Sequence, residues 1–144
     1  MRSDEFVTKV LDILRSKRVD FLFHGAIAMG LYGYTRTTED LDVILSTSDR
    51  KIVDALNEKG FHMTKVQKTE EGTVHKLAYD NWFLDILLEE GRAKWLGLKA
   101  RAKKVKWGRY TVKVISKKDL IKFKERRCSL KDLMDLHVLK NMRS

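Results

Sequence analysis

The 144-residue chain contains no proline and only one cysteine, Cys128. A lone cysteine excludes a disulfide framework within the chain and a Cys-rich zinc site. It also points to a reducing compartment. The absence of proline argues against a Pro-rich interdomain linker, and no repeat or low-complexity tract interrupts the sequence. Residues 1–144 therefore read as a single domain, long enough to bury a core. No stretch approaches the roughly 18 uninterrupted apolar residues of a membrane span. The start, MRSDEFVTKVLDILRSKR, lacks the continuous apolar core of a signal peptide. A soluble, cytoplasmic chain with no membrane role is the expectation. The four histidines, His24, His62, His75 and His137, are not spaced as zinc pairs.

Charge is plentiful. Asp, Glu, Lys and Arg make up 35% of the residues, and the formal net charge is +10. A small basic domain attracts polyanions through its long-range field, which points to phosphate-bearing partners. The hydrophobic fraction, 43%, is that of an ordinary globular protein.

Periodicity supplies the elements. Residues 3–17 place Phe6, Val7, Val10, Leu11, Ile13 and Leu14 at helical spacing, with Ser3 as the expected N-cap. Asp20–His24 (DFLFH) suits a buried strand, followed at once by Gly25 and a short helix ending near Gly33. Leu41–Leu45 (LDVIL) is a second strand. Thr47 or Ser48 is expected to cap a helix running to about Lys59, which Gly60 stops. Phe61–Val66 and Val74–Tyr79 make a hairpin turning near Glu71-Gly72, and Asn81–Leu88 is another strand. Residues 98–115 read as a basic hairpin turning near Trp107-Gly108. Ser116 and Ser129 are expected to cap two final helices, with Asp119 at the third position of the first. The fold class is α+β, a mixed β-sheet flanked by helices.

Three acids carry the chemical argument. Asp40 and Asp42 lie two apart, which in a strand aims both at one face. Two adjacent carboxylates repel, and a divalent cation removes that repulsion. Mg²⁺ prefers such hard oxygen ligands, completed by substrate phosphates. Asp85 lies inside the apolar run Trp82–Leu88, where an unpartnered carboxylate is expensive. Either a Lys or Arg pairs with it, or it joins Asp42 from a neighbouring strand. In the second case three carboxylates hold two metal ions, which stabilise the attacking and leaving oxygens of a phosphoryl displacement. Gly25, between a strand and a helix N-terminus, either makes a tight turn or lets a phosphate approach free backbone N–H groups. Arg36 either neutralises a triphosphate or pairs with Asp40 or Glu39. His24 either reaches a phosphate or is a strand-end residue bonded to backbone.

Gly25-Ala26, Ala28, Tyr32-Gly33, Arg36, Thr38 and Asp40-Leu41-Asp42 together resemble the signature of the DNA polymerase beta-type nucleotidyltransferase superfamily. Within it they are most similar to the small prokaryotic branch related to AbiEii-type toxins. Asp119-Leu120-Ile121, Lys124, Arg127 and Lys131-Asp132 with Asp135-Leu136 resemble that branch's helical Lys and Lys-Asp segment. The resemblance covers roughly residues 20–140. It implies a Mg²⁺-dependent transfer of a nucleotidyl group from an NTP to an acceptor hydroxyl. Asp40, Asp42 and Asp85 would then be catalytic and metal-binding. Gly25, Ala26, Arg36, Thr38, Lys124 and Asp132 would bind the nucleotide. The chain departs from the pattern at Ala26, where the family usually has Gly or Ser. Ala26 keeps its N–H but offers no hydroxyl to a phosphate.

The resemblance leaves the acceptor open. Lys99, Arg101, Lys103, Lys104, Lys106 and Arg109 in the basic hairpin offer a contact for RNA, or simply a solvated strand edge that blocks aggregation. A toxin-antitoxin component and a non-catalytic nucleotide- or nucleic-acid-binding module are the rival readings. A partner protein or a homodimer would complete a site that so small a domain leaves partly uncovered.

Overall fold

The computed structural model describes residues 1–33, 40–127 and 129–141. Arg36, Thr38 and Cys128 lie outside the described residues. In chain order the elements are α1 (Ser3–Ser16), β1 (Leu22–His24), α2 (Gly25–Leu31), β2 (Asp40–Ser46), α3 (Ile52–Glu58), β3 (His62–Lys68), β4 (Thr73–Tyr79), β5 (Trp82–Glu89), α4 (Arg92–Arg101), β6 (Lys103–Trp107), β7 (Tyr110–Val114), α5 (Lys117–Arg127) and α6 (Leu130–Asn141). The strands form one mixed sheet in the order β3-β4-β5-β2-β1-β7-β6. The pairs β2–β5 and β1–β7 are parallel, and the remaining neighbours are antiparallel. This is the α+β domain that the sequence pattern implies.

Both faces of the central strands are covered. On one face α1 buries Phe6, Val10, Leu11 and Leu14. Phe6 stacks on Trp82 of β5 at 5.7 Å between ring centroids. On the other face α5 brings the Phe123 ring to 6.2 Å from that of His24. Helix α4 lies against α5, with the Arg101 guanidinium donating to both oxygens of Asp119 at 2.8 and 3.1 Å. Such continuous apolar strands as Val43–Leu45 and Ile86–Leu88 are what a doubly covered sheet centre requires.

Local sequence explains several boundaries. Ser116 Oγ accepts from the Asp119 amide at 3.1 Å, and Ser129 Oγ accepts from the Asp132 amide at the same distance. Both expected caps are therefore present. Ser3 is not the cap of α1. That place belongs to Arg2, whose amide and Nε both donate to Glu5 Oε1. The helix expected from Thr47 or Ser48 begins only at Ile52, after a 3-10 turn over Thr47–Asp49 capped by the Ser46 hydroxyl.

The basic hairpin is shorter than its charge run suggests. Lys99 and Arg101 belong to α4, not to a strand. Their charges are engaged, Lys99 with Asp20 at 2.7 Å and Arg101 with Asp119. The hairpin proper is β6 and β7, turning through Gly108 at φ 55°.

Candidate active site

Strand register builds the site. Asp42 of β2 lies directly beside Asp85 of β5, and Asp40 beside Phe83. Asp42 also faces His24 of β1, and Asp85 faces Lys76 of β4. Side chains alternate along a strand, so His24, Asp42, Asp85 and Lys76 form one row across four strands, with Asp40 on the same face. The three acids thus share one side of the sheet, on two neighbouring parallel strands.

Gly25 fixes the position of Asp42. Its φ of +61° belongs to the left-handed region, where L side chains are strained. A Cβ there would come within 2.0 Å of Asp42 Oδ2. The tight turn expected of Gly25 is real, and the group that approaches the glycine most closely is the Asp42 carboxylate.

The carboxylates press on each other. Burial, followed by the neighbouring Asp42 charge and a smaller contribution from Asp40, raises the Asp85 pKa to about 7 against the opposing pull of Lys76. The Lys76 ammonium sits 3.8 Å from Asp85 and 3.9 Å from Asp40. Both readings of Asp85 therefore hold in part: it has a lysine nearby, and it stands beside Asp42. Asp85 Oδ1 is buried with no hydrogen-bond partner. Three hard oxygen donors, crowded on one face with one unsatisfied oxygen, suit Mg²⁺. Among the described residues no group of three or more His, Cys, Asp or Glu side chains lies close enough together to hold a metal ion as the side chains stand.

A cleft of about 280 Å³ opens over these acids. His24, Asp42, Asp85, Val74 and Leu87 form its sheet side, Phe123 and Arg127 come from α5, and Gln67, Thr69 and Glu71 come from the end of the β3–β4 hairpin. The His24 ring is buried, and burial lowers its pKa to about 4, helped by the Arg127 and Lys124 charges against the pull of Asp42. Its Nε2 has no hydrogen-bond partner.

The remaining expected residues divide. Ala26 follows Gly25 in the first turn of α2 and does not line the cleft. Lys124 and Asp132 do not line the cleft. Lys124 is enclosed, only 2% exposed, with its ammonium 2.9 Å from Asp135 and 3.6 Å from Asp132. Asp132 also accepts from the Ser129 hydroxyl at 2.6 Å and meets Arg127 at 3.4 Å. Burial pushes its pKa up, but the Ser129 hydroxyl and the Arg127 charge outweigh this and leave it below the usual value. Arg127 is the residue of this segment that reaches the cleft. Lys76 and Glu71 were not singled out from sequence. The signal for Lys76 is its parity in the hairpin, which pairs it with Asp85. Glu71 leaves no such signal, because a turn glutamate normally faces water.

The lincosamide antibiotic adenylyltransferase LnuA, bound to lincomycin, superposes with a TM-score of 0.67 at 14% identity, covering 99% of this chain and 98% of its own. This is the nucleotidyltransferase fold. A candidate nucleotidyltransferase from Thermotoga maritima matches with a TM-score of 0.69 at 15% identity, over 99% of this chain and 97% of that one. The antibiotic-resistance factor ANT(2'')-Ia, in complex with adenylyl-2''-tobramycin, gives 0.67 at 15% identity, over 94% and 86%. No family profile and no curated protein sequence matches the chain. At these identities the likeness is one of fold. The narrower AbiEii-type placement remains a proposal.

Proposed function

We propose that the chain transfers a nucleotidyl group from a Mg²⁺-bound NTP to an acceptor hydroxyl. The observation that carries this reading is the register of Asp42 with Asp85, with Asp40 on the same face and Gly25 against Asp42, on a nucleotidyltransferase fold. Asp40, Asp42 and Asp85 would hold the metal, one ion or the two that the resemblance implies. Bound there, Mg²⁺ supplies neutralisation of phosphate charge and polarisation of the phosphoryl oxygens.

The chain's own groups do the rest. Asp85 takes the proton of the acceptor hydroxyl, whose oxygen forms a bond to the α-phosphorus. The bond between that phosphorus and the α–β bridging oxygen breaks, and pyrophosphate leaves. Gly25 and Ala26 offer backbone N–H groups to the triphosphate, and Arg127 offers a cation at the cleft wall. Lys124 and Asp132 act one step back, by holding α5 and α6 together around Arg127. Arg36 and Thr38, which precede Asp40 in the sequence, are proposed to meet the nucleotide.

The acceptor we favour is a small molecule. The cleft volume lies just below the 300–1,000 Å³ of pockets for drug-sized ligands. The basic hairpin loses Lys99 and Arg101 to ion pairs, which weakens the case for RNA.

The test is an assay of α-labelled NTP transfer with pyrophosphate release, with and without Mg²⁺. Asp42→Asn and Asp85→Asn should each lower the rate by at least 100-fold while circular dichroism shows the native fold retained. Transfer that survives both substitutions would sink the reading.

A further inference from the structure

The cleft holds one charge that the transfer chemistry does not use. Glu71 is 5% exposed and lines the cleft, and its Oε1 is buried without a hydrogen-bond partner. The nearby cations have other engagements: Lys76 lies between Asp40 and Asp85, and Arg127 meets Asp132. Nor does the turn require this carboxylate. The Thr69 amide donates to the Gly72 carbonyl at 2.7 Å, the Gly72 amide returns to the Thr69 carbonyl at 3.3 Å, and the Thr69 hydroxyl donates to the Gly72 carbonyl at 2.8 Å. The turn closes on its own backbone.

We infer that Glu71 anchors a cationic group of the acceptor, and hence that the acceptor is a small hydroxyl-bearing amine. This rests on the transfer reading above and names its substrate class. The charges in the cleft favour a cation. Asp42, Asp85 and Glu71 are its acids, and Arg127 is its one cation among the described lining residues. A metal held by Asp42 and Asp85 leaves Glu71 uncompensated. A buried carboxylate without a partner calls for a cation. The spacing also fits. Gly72 lies against the Leu88 carbonyl, three residues along β5 from Asp85, roughly 10 Å at the rise of a strand. An acceptor with its hydroxyl at Asp85 and its ammonium at Glu71 is thus one or two rings long. Gln67 and Thr69, between those points, present an amide and a hydroxyl oxygen to its remaining hydroxyls. A nucleic-acid acceptor would bring phosphates against the same carboxylate.

The test is calorimetric titration of the whole chain with glucosamine and tobramycin, against glucose and sucrose as uncharged counterparts. At least one amine should bind ten-fold more tightly than its counterpart. Glu71→Gln should abolish that preference, Glu71→Asp should restore part of it, and Glu71→Gln should melt no lower than wild type. The inference is overturned if amines and neutral sugars bind alike, if Glu71→Gln leaves the preference intact, or if it lowers the melting temperature as a structural carboxylate would. Unfractionated tRNA that occupies the cleft in preference to the amines also overturns it. Titration with Mg-ATP on wild type and Asp42→Asn runs alongside. Loss of Mg-ATP binding in the wild type counts against the transfer reading alone, because amine selectivity is measured without nucleotide.

Discussion

Asp42 is held by what is missing beside it. Gly25→Ala adds a Cβ where the carboxylate oxygen now lies and imposes a side chain on a left-handed backbone. The backbone cost alone is about 1–2 kcal/mol. The expected outcome is a lower melting temperature together with a transfer rate near that of Asp42→Asn, since the carboxylate must turn away from Asp85. Asp85 itself makes stability depend on pH. Its native pKa is near 7, above the unfolded value of 3.8, so between those values the native state holds the extra proton. Stability is then fully present below about pH 4 and is lost as the pH rises towards 7, by a few kcal/mol at most. His24 acts in the opposite sense: with a native pKa of about 4 against 6.5, its contribution is present above 6.5 and is lost on acidification. Subtracting the Asp85→Asn melting curve from that of wild type isolates the first effect. The metal-free difference should fall between pH 4 and 7, and Mg²⁺ should flatten it. In Lys76→Met the fall should extend to higher pH, because the cation that lowers the Asp85 pKa is gone.

At the level of elements, α5 and α6 are joined through a buried ion cluster. Lys124→Met would remove the enclosed cation that faces Asp135 and Asp132, a loss of roughly 3–5 kcal/mol. Arg127→Gln, half exposed at the cleft wall, should cost less stability than Lys124→Met and weaken Mg-NTP binding. Denaturant melts and nucleotide titration on the two variants separate these roles, and a Lys124→Met protein of wild-type stability would refute the assignment. The same helices show where sequence reading succeeds and stops. Ser116 and Ser129 announce their helices because a cap needs only residues one turn apart. Asp40 and Asp42 announce a shared face because a strand has a period of two. Helix α4 was hidden. In RAKWLGLKAR only Trp95 and Leu98 are buried while Leu96 is exposed, so the apolar stripe is too thin to signal a period. Its C-terminal cations then ran on into those of β6. Glu71, His24 and Lys76 meet the acids only through the order β4-β5-β2-β1, and that order is set by pairing between distant segments, which local pattern does not encode.

Across the molecule, the charge and the candidate site are partly separate. Much of the +10 surplus belongs to residues away from the cleft, including Lys103, Lys104 and Lys106 on the edge strand β6. Changing these three to Gln should weaken binding to tRNA or heparin and reduce its salt dependence, each lost cation lowering the slope by about one. Transfer to a small acceptor should be unaffected, and an equal loss in both assays would return the hairpin to the site. No helix among the described residues is long and apolar enough to cross a membrane.

The parallel pairing of β2 with β5 also bears on the order of assembly. These two strands cannot pair with each other through a hairpin turn. The chain must first run through α3, β3 and β4 before β5 docks, and pairings of such long sequence separation form slowly. During refolding, magnesium affinity should therefore emerge with the slowest phase, after the helical signal has already returned.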